Sequence, residues 1–226
     1  MEGVDVIYWI NLDRATERRS HMKKVLSNKS LEIIPKIRIS AFYSKKIDLN
    51  DYFTMNKDIL SVNYKVTKNE YACLLSHLET IRTFSDSEYS TALILEDDVV
   101  FHKKTDTIQH VLENAPKDWE IIRLSSNRFL NGPIKKKYRT FTVKCNSTDC
   151  IADWGAQAYL ITKNAAKKII HELYHKKYLL KNDTFHVADY LLFDKLKTYT
   201  YKENLFTIRK NNVSFIQTRK KCRPTI

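Results

Sequence analysis

The 226-residue chain has no apolar run that approaches the roughly 20 residues needed to span a membrane. Its start, MEGVDVIYWINLD, carries acidic residues and no basic n-region, which argues against a signal peptide or signal anchor. Only three glycines and four prolines occur, and no repeat, flexible linker or domain boundary is visible. We therefore expect one soluble domain, either cytoplasmic or part of a larger protein, and the compartment stays open.

The four cysteines do not form a recognisable metal motif, because no C-x-x-C pair or His/Cys cluster has zinc-site spacing. Cys73 lies in a predicted helix among apolar neighbours, which favours a buried thiol. Cys145 and Cys150 are close enough in sequence to form a small disulfide loop, and both the bonded and the reduced form stay open.

The net charge is +13, which favours anionic partners such as nucleotides, nucleic acids or lipid headgroups. The basic residues are scattered, and a compositional bias towards Lys, Asn and Ile explains the charge equally well. A basic nucleic-acid-binding protein is therefore kept as an alternative function.

Apolar strands alternate with amphipathic helices, which predicts an α/β domain with a mostly parallel sheet. Strands are predicted at 4–12, 33–41, 91–95, 119–125, near 140–144 and at 154–162. Helices are predicted at about 15–26, 67–84, 107–114, 164–174 and 187–196.

One helix start has the form of a capping box, with Thr67 followed three residues later by Glu70. Glu70 and His77 are seven residues apart, so both lie on one stripe of this helix. Capping alone explains Glu70, and a histidine beside apolar residues is often a hydrogen-bonded core residue. Both are nevertheless candidates for lining a site.

Three consecutive carboxylates, Glu96, Asp97 and Asp98, follow the buried strand at 91–95. They repel one another unless a cation offsets them, and ligands of open α/β sheets bind beyond the carboxyl ends of strands. Oxygen ligands suit Mg²⁺ or Mn²⁺ together with a diphosphate. On an extended chain, Asp98 and Glu96 share one side. We assign Asp98 as the direct ligand, Glu96 as a water-mediated partner and Asp97 to a ribose; solvated turn residues or helix caps are the alternative.

The first strand also ends in polar residues, Asn11, Asp13 and Arg14, where a nucleotide-binding sheet receives its base and ribose. Arg14 or Arg18 could meet a diphosphate through charge-assisted hydrogen bonds. The alternative is a helix start with Asp13 as its cap and solvated arginines.

Four segments together resemble glycosyltransferase family 25, which includes bacterial lipooligosaccharide galactosyltransferases and procollagen galactosyltransferases. The segments are INLDR (10–14) with Arg18 and Arg19, NEYACLLSHL (69–78), ALILEDDV (92–99), and WGAQAYLI (154–161) with AAKK (165–168). They occur in the family's order and span nearly the whole chain. The resemblance implies a GT-A type fold with a Rossmann-like sheet, a UDP-sugar donor, Mn²⁺ (or Mg²⁺) and transfer with inversion.

Inversion requires a carboxylate that deprotonates the acceptor hydroxyl opposite the leaving diphosphate. The resemblance favours Asp189 for this role, with Asp153 second; a first-turn acid complementing the helix dipole is the alternative for Asp189. Residues of the fourth segment, Trp154, Gly155 and Gln157, are expected to line the acceptor sugar.

We therefore expect a single domain over 1–226, with a donor-binding half of about 1–125 and an acceptor-side half of about 126–226. The expected reaction transfers galactose or glucose from a UDP-sugar to a hydroxyl, such as one of a lipooligosaccharide sugar or of hydroxylysine in a collagen-like chain. No nucleic-acid partner is expected on this interpretation. A non-catalytic binder of UDP-sugars is the further alternative.

Overall fold

A computed structural model describes residues 3–47, 67–102, 107–125, 138–140, 143–145, 150–152, 155–172, 188–193 and 196–209. Numbered along this part of the chain, the helices are α1 Thr16–Leu26, α2 Lys29–Glu32, α3 Lys68–Ser85, α4 Ile108–Glu113, α5 Lys163–Ile170 and α6 Ala188–Phe193, with a 3-10 turn at Ser44–Lys46. The strands are β1 Val6–Asn11, β2 Lys36–Ser40, β3 Thr91–Glu96, β4 Val99–Phe101, β5 Ile121–Arg123, β6 Tyr138–Thr140, β7 Val143–Cys145, β8 Cys150–Ala152, β9 Ala158–Thr162, β10 Thr198–Tyr201 and β11 Phe206–Ile208.

Seven strands form one sheet in the order β2-β1-β3-β9-β5-β10-β6. β1 pairs in parallel with β2 and β3, and β5 pairs in parallel with β10. Only β9 and β6 run against the other five. The predicted mostly parallel, Rossmann-like sheet flanked by helices is therefore confirmed. The division into a donor-binding half and an acceptor-side half at about residue 125 stays a prediction. The strand β9, from the second half, lies in the sheet between β3 and β5 from the first half.

The strand β1, second from one edge of the sheet, is buried on both faces, and its side chains alternate between two hydrophobic cores. Val6, Tyr8 and Ile10 pack in the core that contains α3 and α5, whereas Ile7 and Trp9 pack in the core that contains α1 and α4. Burial of each such side chain contributes roughly 1.5–3 kcal/mol to folding. Packing in both cores therefore holds β1 between the two helical layers.

β1 and β3 end side by side, since Ile10 is paired with Glu96 in the parallel ladder. The residues that follow on each strand, Asn11 and Asp97, consequently come together at one edge of the sheet. Parallel pairing is what brings two polar motifs, far apart in sequence, to the same place.

The predicted capping box is confirmed at the start of α3. The Thr67 hydroxyl accepts from the Glu70 amide at 3.2 Å, and the Glu70 carboxylate accepts from the Thr67 amide at 2.8 Å. No helix in the described part of the chain is long and apolar enough to cross a membrane.

Several short elements differ from the predictions. The strand expected at 33–41 begins only at β2, because Asn28 caps the short helix α2 by accepting from the Ser30 amide. The single strand expected near 140–144 is wrong: β6 belongs to the large sheet, whereas β7 pairs with β8 in a separate ladder with Cys145 opposite Cys150. The strand β4 was not predicted, and β10 and β11 were expected only as short extended pieces of an irregular segment after the last helix, since three or four residues are too few to show a period.

The strand expected at 154–162 is shorter and begins at β9. Gly155 has φ = 134°, a conformation that side chains rarely adopt, so the extended chain cannot start there. The Gly155 carbonyl accepts from the buried Arg123 guanidinium at 3.0 Å.

Candidate active site

A cavity opens at the carboxyl ends of β1 and β3, against the first half of α3. It contains about 650 Å³ of empty space, including the part open to solvent. Its lining residues are Ile10, Asn11, Leu12, Arg14, Arg18, Ala41, Phe42, Tyr43, Ser44, Asn69, Ala72, Cys73, Ser76, His77, Glu96 and Asp97.

The Asp97 carboxylate is buried in the floor of this cavity and is held by two partners. Arg18 Nη1 lies 2.6 Å from one carboxylate oxygen, and Asn11 Nδ2 donates to the other at 2.7 Å. Burial raises the pKa of Asp97, while the Arg18 charge and the Asn11 hydrogen bond oppose that rise. Three of the predicted donor-site residues, Asn11, Arg18 and Asp97, therefore form one buried hydrogen-bonded cluster.

Asp98 is buried without a complete set of partners. Its Oδ1 has no hydrogen-bond partner among the described residues, and its Oδ2 lies 3.6 Å from Arg18 Nη1. Burial and the negative charge of Glu96 raise the pKa of Asp98 to about 7. A buried carboxylate oxygen without a donor is costly unless a proton or a cation joins it.

The backbone at Asp97 and Asp98 forms a turn between β3 and β4, so the extended chain assumed for the acidic tripeptide ends at Glu96. The prediction that Asp98 and Glu96 share one side of an extended chain is therefore wrong. Glu96 and Asp97 line the cavity, whereas Asp98 lies directly behind them and is not among its lining residues.

Glu96 points towards His77, whose side chain is 1% exposed. His77 Nε2 lies 3.3 Å from Glu96 Oε1, and His77 Nδ1 lies 3.0 Å from the Tyr159 hydroxyl. The histidine is thus a hydrogen-bonded core residue, as the alternative interpretation expected, and it also lines the cavity. One ring nitrogen thus contacts Tyr159 in the sheet interior, and the other contacts Glu96 at the cavity wall.

Glu70 is engaged at the start of α3, where its carboxylate accepts from both the amide and the hydroxyl of Thr67 at 2.8 Å. The capping role proposed as the alternative is therefore present, and Glu70 is not among the residues that line the cavity. The stripe of α3 that does so consists of Asn69, Ala72, Cys73, Ser76 and His77. Their i, i+3, i+4, i+7, i+8 spacing could have revealed this stripe in the sequence.

Asp13 is exposed and does not line the cavity. It accepts from Arg38 and from the Ser40 hydroxyl, each at 2.8 Å, and these hydrogen bonds lower the pKa of Asp13. The alternative role as cap of α1 is wrong, since Ala15 occupies that position.

Arg14 lines the cavity mouth, with its guanidinium over the Tyr43 ring at 4.6 Å from the ring centre. Tyr43 and the neighbouring Phe42 come from the loop after β2, and sequence analysis missed both. An exposed aromatic in an aperiodic loop has no sequence signal of its own.

Gln157 supports the end of β3, whereas Gly155 bonds Arg123 of β5, and neither residue lines the cavity. The Gln157 carbonyl accepts from the Glu96 amide at 2.8 Å, and its buried side chain lies against Ser125 at 3.4 Å. Asp153 and Trp154 lie outside the described residues. Asp189 is the second residue of α6, a helix whose apolar residues share a core with α3.

Comparisons with known proteins identify the family of the chain. The family model described as "Glycosyltransferase family 25 (LPS biosynthesis protein)" matches residues 4–191. The chain belongs to glycosyltransferase family 25. This confirms the resemblance to the family.

Among curated members of family 25, procollagen galactosyltransferase 2 of Homo sapiens is 26% identical over 74% of this chain and 28% of its own length. Procollagen galactosyltransferase 1-B of Xenopus laevis is 30% identical over 55% of this chain and 21% of its own length. The matched region thus spans about a quarter of these relatives. A solved glycosyltransferase involved in the glycosylation of the major capsid of PBCV-1 is 10% identical, with a TM-score of 0.48 over 94% of this chain and 95% of that chain.

Proposed function

We propose that this protein is an inverting, metal-dependent glycosyltransferase that moves galactose or glucose from a UDP-sugar to a hydroxyl acceptor. The observation that carries the proposal is the buried Asp98 Oδ1, which has no partner within the described parts of the chain and lies behind a cavity whose floor holds Arg18. The names of the curated relatives support galactose as the sugar and a collagen-like acceptor. The family description supports a lipopolysaccharide sugar as the other acceptor class.

The charges at the cavity floor support a divalent cation. Arg18 contacts two of three neighbouring carboxylates, Asp97 and Asp98, and so leaves their combined negative charge incompletely balanced. We propose that Asp98 binds Mn²⁺ or Mg²⁺ directly and Glu96 through a water molecule, since oxygen ligands are the preferred set for these ions. Such an ion would supply neutralisation of the leaving nucleoside diphosphate.

The donor would occupy the cavity between β1 and α3. Arg14 and Arg18 place two guanidinium groups where a diphosphate could be bound by charge-assisted hydrogen bonds. Carboxylate oxygens accept more than one hydrogen bond, so Asp97 can receive a ribose hydroxyl while it keeps Arg18 and Asn11. This arrangement preserves the role proposed for Asp97 and adds a structural one.

The general base is proposed to be Asp189, with Asp153 as the second candidate. Inversion requires the base on the face of the sugar opposite the leaving group. Ala188 and Phe193 of α6 pack in the same core as Leu74 and Leu78 of α3, which supports placing α6 near the cavity.

Hydrolysis of a panel of UDP-, GDP- and CMP-sugars, with and without Mn²⁺, tests the proposal. We expect Mn²⁺-dependent hydrolysis of UDP-galactose or UDP-glucose that is lost in Asp98→Asn. The matched control is Asp86→Asn, which makes the same charge change at an exposed site beside Arg82 and should keep wild-type turnover.

Absence of metal-dependent turnover and of UDP binding throughout the panel would refute the proposal. UDP binding with metal but no turnover with any acceptor would indicate a non-catalytic binder instead. A steeply salt-dependent affinity for DNA that survives Asp98→Asn, with no UDP binding, would favour the nucleic-acid-binding alternative.

A further inference from the structure

Three side chains of metal-ligating types meet at one wall of the cavity. Their spacing in the sequence matches no zinc motif. Cys73 and His77 come from α3, and Glu96 comes from the end of β3. Their sulfur, nitrogen and oxygen ligand atoms all lie within 4.8 Å of one another. We propose that Cys73, His77 and Glu96 form a second cation site that takes a borderline-soft divalent ion, Zn²⁺ above all.

The helix geometry makes the first pair suitable for one ion. Residues four apart on a helix lie one above the other on the same face, so Cys73 and His77 point into the same space. Both line the cavity together with Glu96. The pairing of Glu96 with Ile10 and the hydrogen bond from its amide to Gln157 hold the carboxylate at the end of the sheet.

His77 is already oriented as a zinc ligand requires. A ligating histidine normally bonds its second ring nitrogen to an oxygen, which fixes both tautomer and ring orientation. His77 Nδ1 meets the Tyr159 hydroxyl at 3.0 Å, leaving Nε2 towards Glu96. The Tyr159 ring is itself buried edge-on against Phe193 at 5.4 Å, so this support is rigid.

The distance between two of the ligand atoms also suits an ion. Zinc bonds of about 2.0–2.1 Å to nitrogen and about 2.0–2.2 Å to a carboxylate oxygen place adjacent tetrahedral ligands about 3.3 Å apart. His77 Nε2 and Glu96 Oε1 are 3.3 Å apart. The Cys73 sulfur lies within 4.8 Å of both atoms, and its side chain is half-buried at the cavity wall.

Protons balance in a simple way when the ion binds. Without metal, an Nε2–H of His77 can donate to the Glu96 carboxylate. With metal, the imidazole stays neutral but changes tautomer: Nε2 loses its proton and Nδ1 carries one towards Tyr159. The only proton released to solvent is then the thiol proton of Cys73. Thiolate and carboxylate then supply two negative charges to a divalent cation.

This site differs in chemistry from the proposed oxygen-ligand site at Asp98. Mixed sulfur, nitrogen and oxygen ligands select zinc, whereas carboxylate oxygens select Mg²⁺ or Mn²⁺. Three protein ligands leave the fourth position open towards the cavity for water or a ligand oxygen. Glu96 would serve both sites, directly here and through water at Asp98, but zinc binding requires no sugar nucleotide, so separate measurements test the two proposals.

Co²⁺ is the probe that tests the site, because a thiolate ligand produces a charge-transfer band in the near ultraviolet and a tetrahedral ion produces intense visible bands. We expect both bands when Co²⁺ is added to the metal-free full-length protein, and their loss on addition of one equivalent of Zn²⁺. Cys73→Ser should abolish the charge-transfer band. Cys222→Ser, which removes a thiol elsewhere in the chain, should leave it unchanged, as should Asp98→Asn.

Competition with a chromophoric chelator gives the zinc affinity of the same proteins. Loss of a ligand in Cys73→Ser or His77→Gln should weaken zinc binding more than tenfold, and loss of the supporting hydroxyl in Tyr159→Phe by about tenfold. Circular dichroism of metal-free Cys73→Ser should match wild type. An equally intense band in Cys73→Ser, its equal loss in Cys222→Ser, or no thiolate band at all would overturn the proposal.

Discussion

The Asp98→Asn substitution should stabilise the metal-free protein at alkaline pH while it removes metal binding. In the folded protein, burial and Glu96 raise the pKa of Asp98 from 3.8 to about 7. The folded state therefore binds this proton more tightly than the unfolded state. The stability contributed by the bound proton is complete below pH 3.8 and is lost as the pH rises to about 7.

The size of the effect follows from the shift. Each pKa unit corresponds to about 1.36 kcal/mol, so a rise of about three units sets an upper bound of about 4 kcal/mol. Glu96 and Asp97 contribute to the shift and stay in the variant, so we expect a gain of about 1–3 kcal/mol at pH 8 and much less at pH 4. Asparagine is isosteric and cannot ionise.

Urea unfolding of both proteins in chelator, at pH 4 and at pH 8, measures this gain. Mn²⁺ at 100 times its dissociation constant should then stabilise wild type by about 2.7 kcal/mol and leave the variant unchanged. The exposed control Asp86→Asn should show neither effect. A variant that is no more stable than wild type at pH 8, or that gains the same at both pH values, would refute the reasoning.

Three further substitutions test the supports of the site by urea unfolding. Arg18→Gln leaves the buried Asp97 without its ion pair, so we expect a loss of about 3–5 kcal/mol that is greater at pH 8 than at pH 4. Gly155→Ala should cost about 1–3 kcal/mol, because φ is positive and the new Cβ would lie 2.5 Å from Gln157 Oε1. Thr67→Ala removes the cap of α3 and should cost about 1 kcal/mol.

Matched controls separate these effects from unspecific ones. Arg19→Gln, next to Arg18 but half-exposed, should cost less than about 1 kcal/mol. Gly3→Ala adds a Cβ with no atom within 4 Å and should change stability by less than about 0.5 kcal/mol. Equal losses in a substitution and its control would contradict the role given to that residue.

Local sequence signals predicted the elements that carry the site. The apolar runs of β1 and β3 are long enough to identify strands buried on both faces, and the capping box marks the start of α3 directly. The acidic residues after β3 and the polar residues after β1 were therefore assigned to the carboxyl edge of the sheet in advance. Strands of three or four residues, such as β4 and β10, carry too little pattern to be predicted in this way.

Contacts between distant segments were decided only by the tertiary structure. By itself, the sequence determined that Glu96, Asp97 and Asp98 follow a buried strand, and that His77 lies on α3. Parallel pairing of β1 with β3, and the packing of α3 across them, decided that Asp97 bonds Asn11 and Arg18 while Glu96 meets His77 and Cys73. The physical reason is that helix and strand periods are local, whereas the partner of a buried charge depends on which strands pair and which helix covers them.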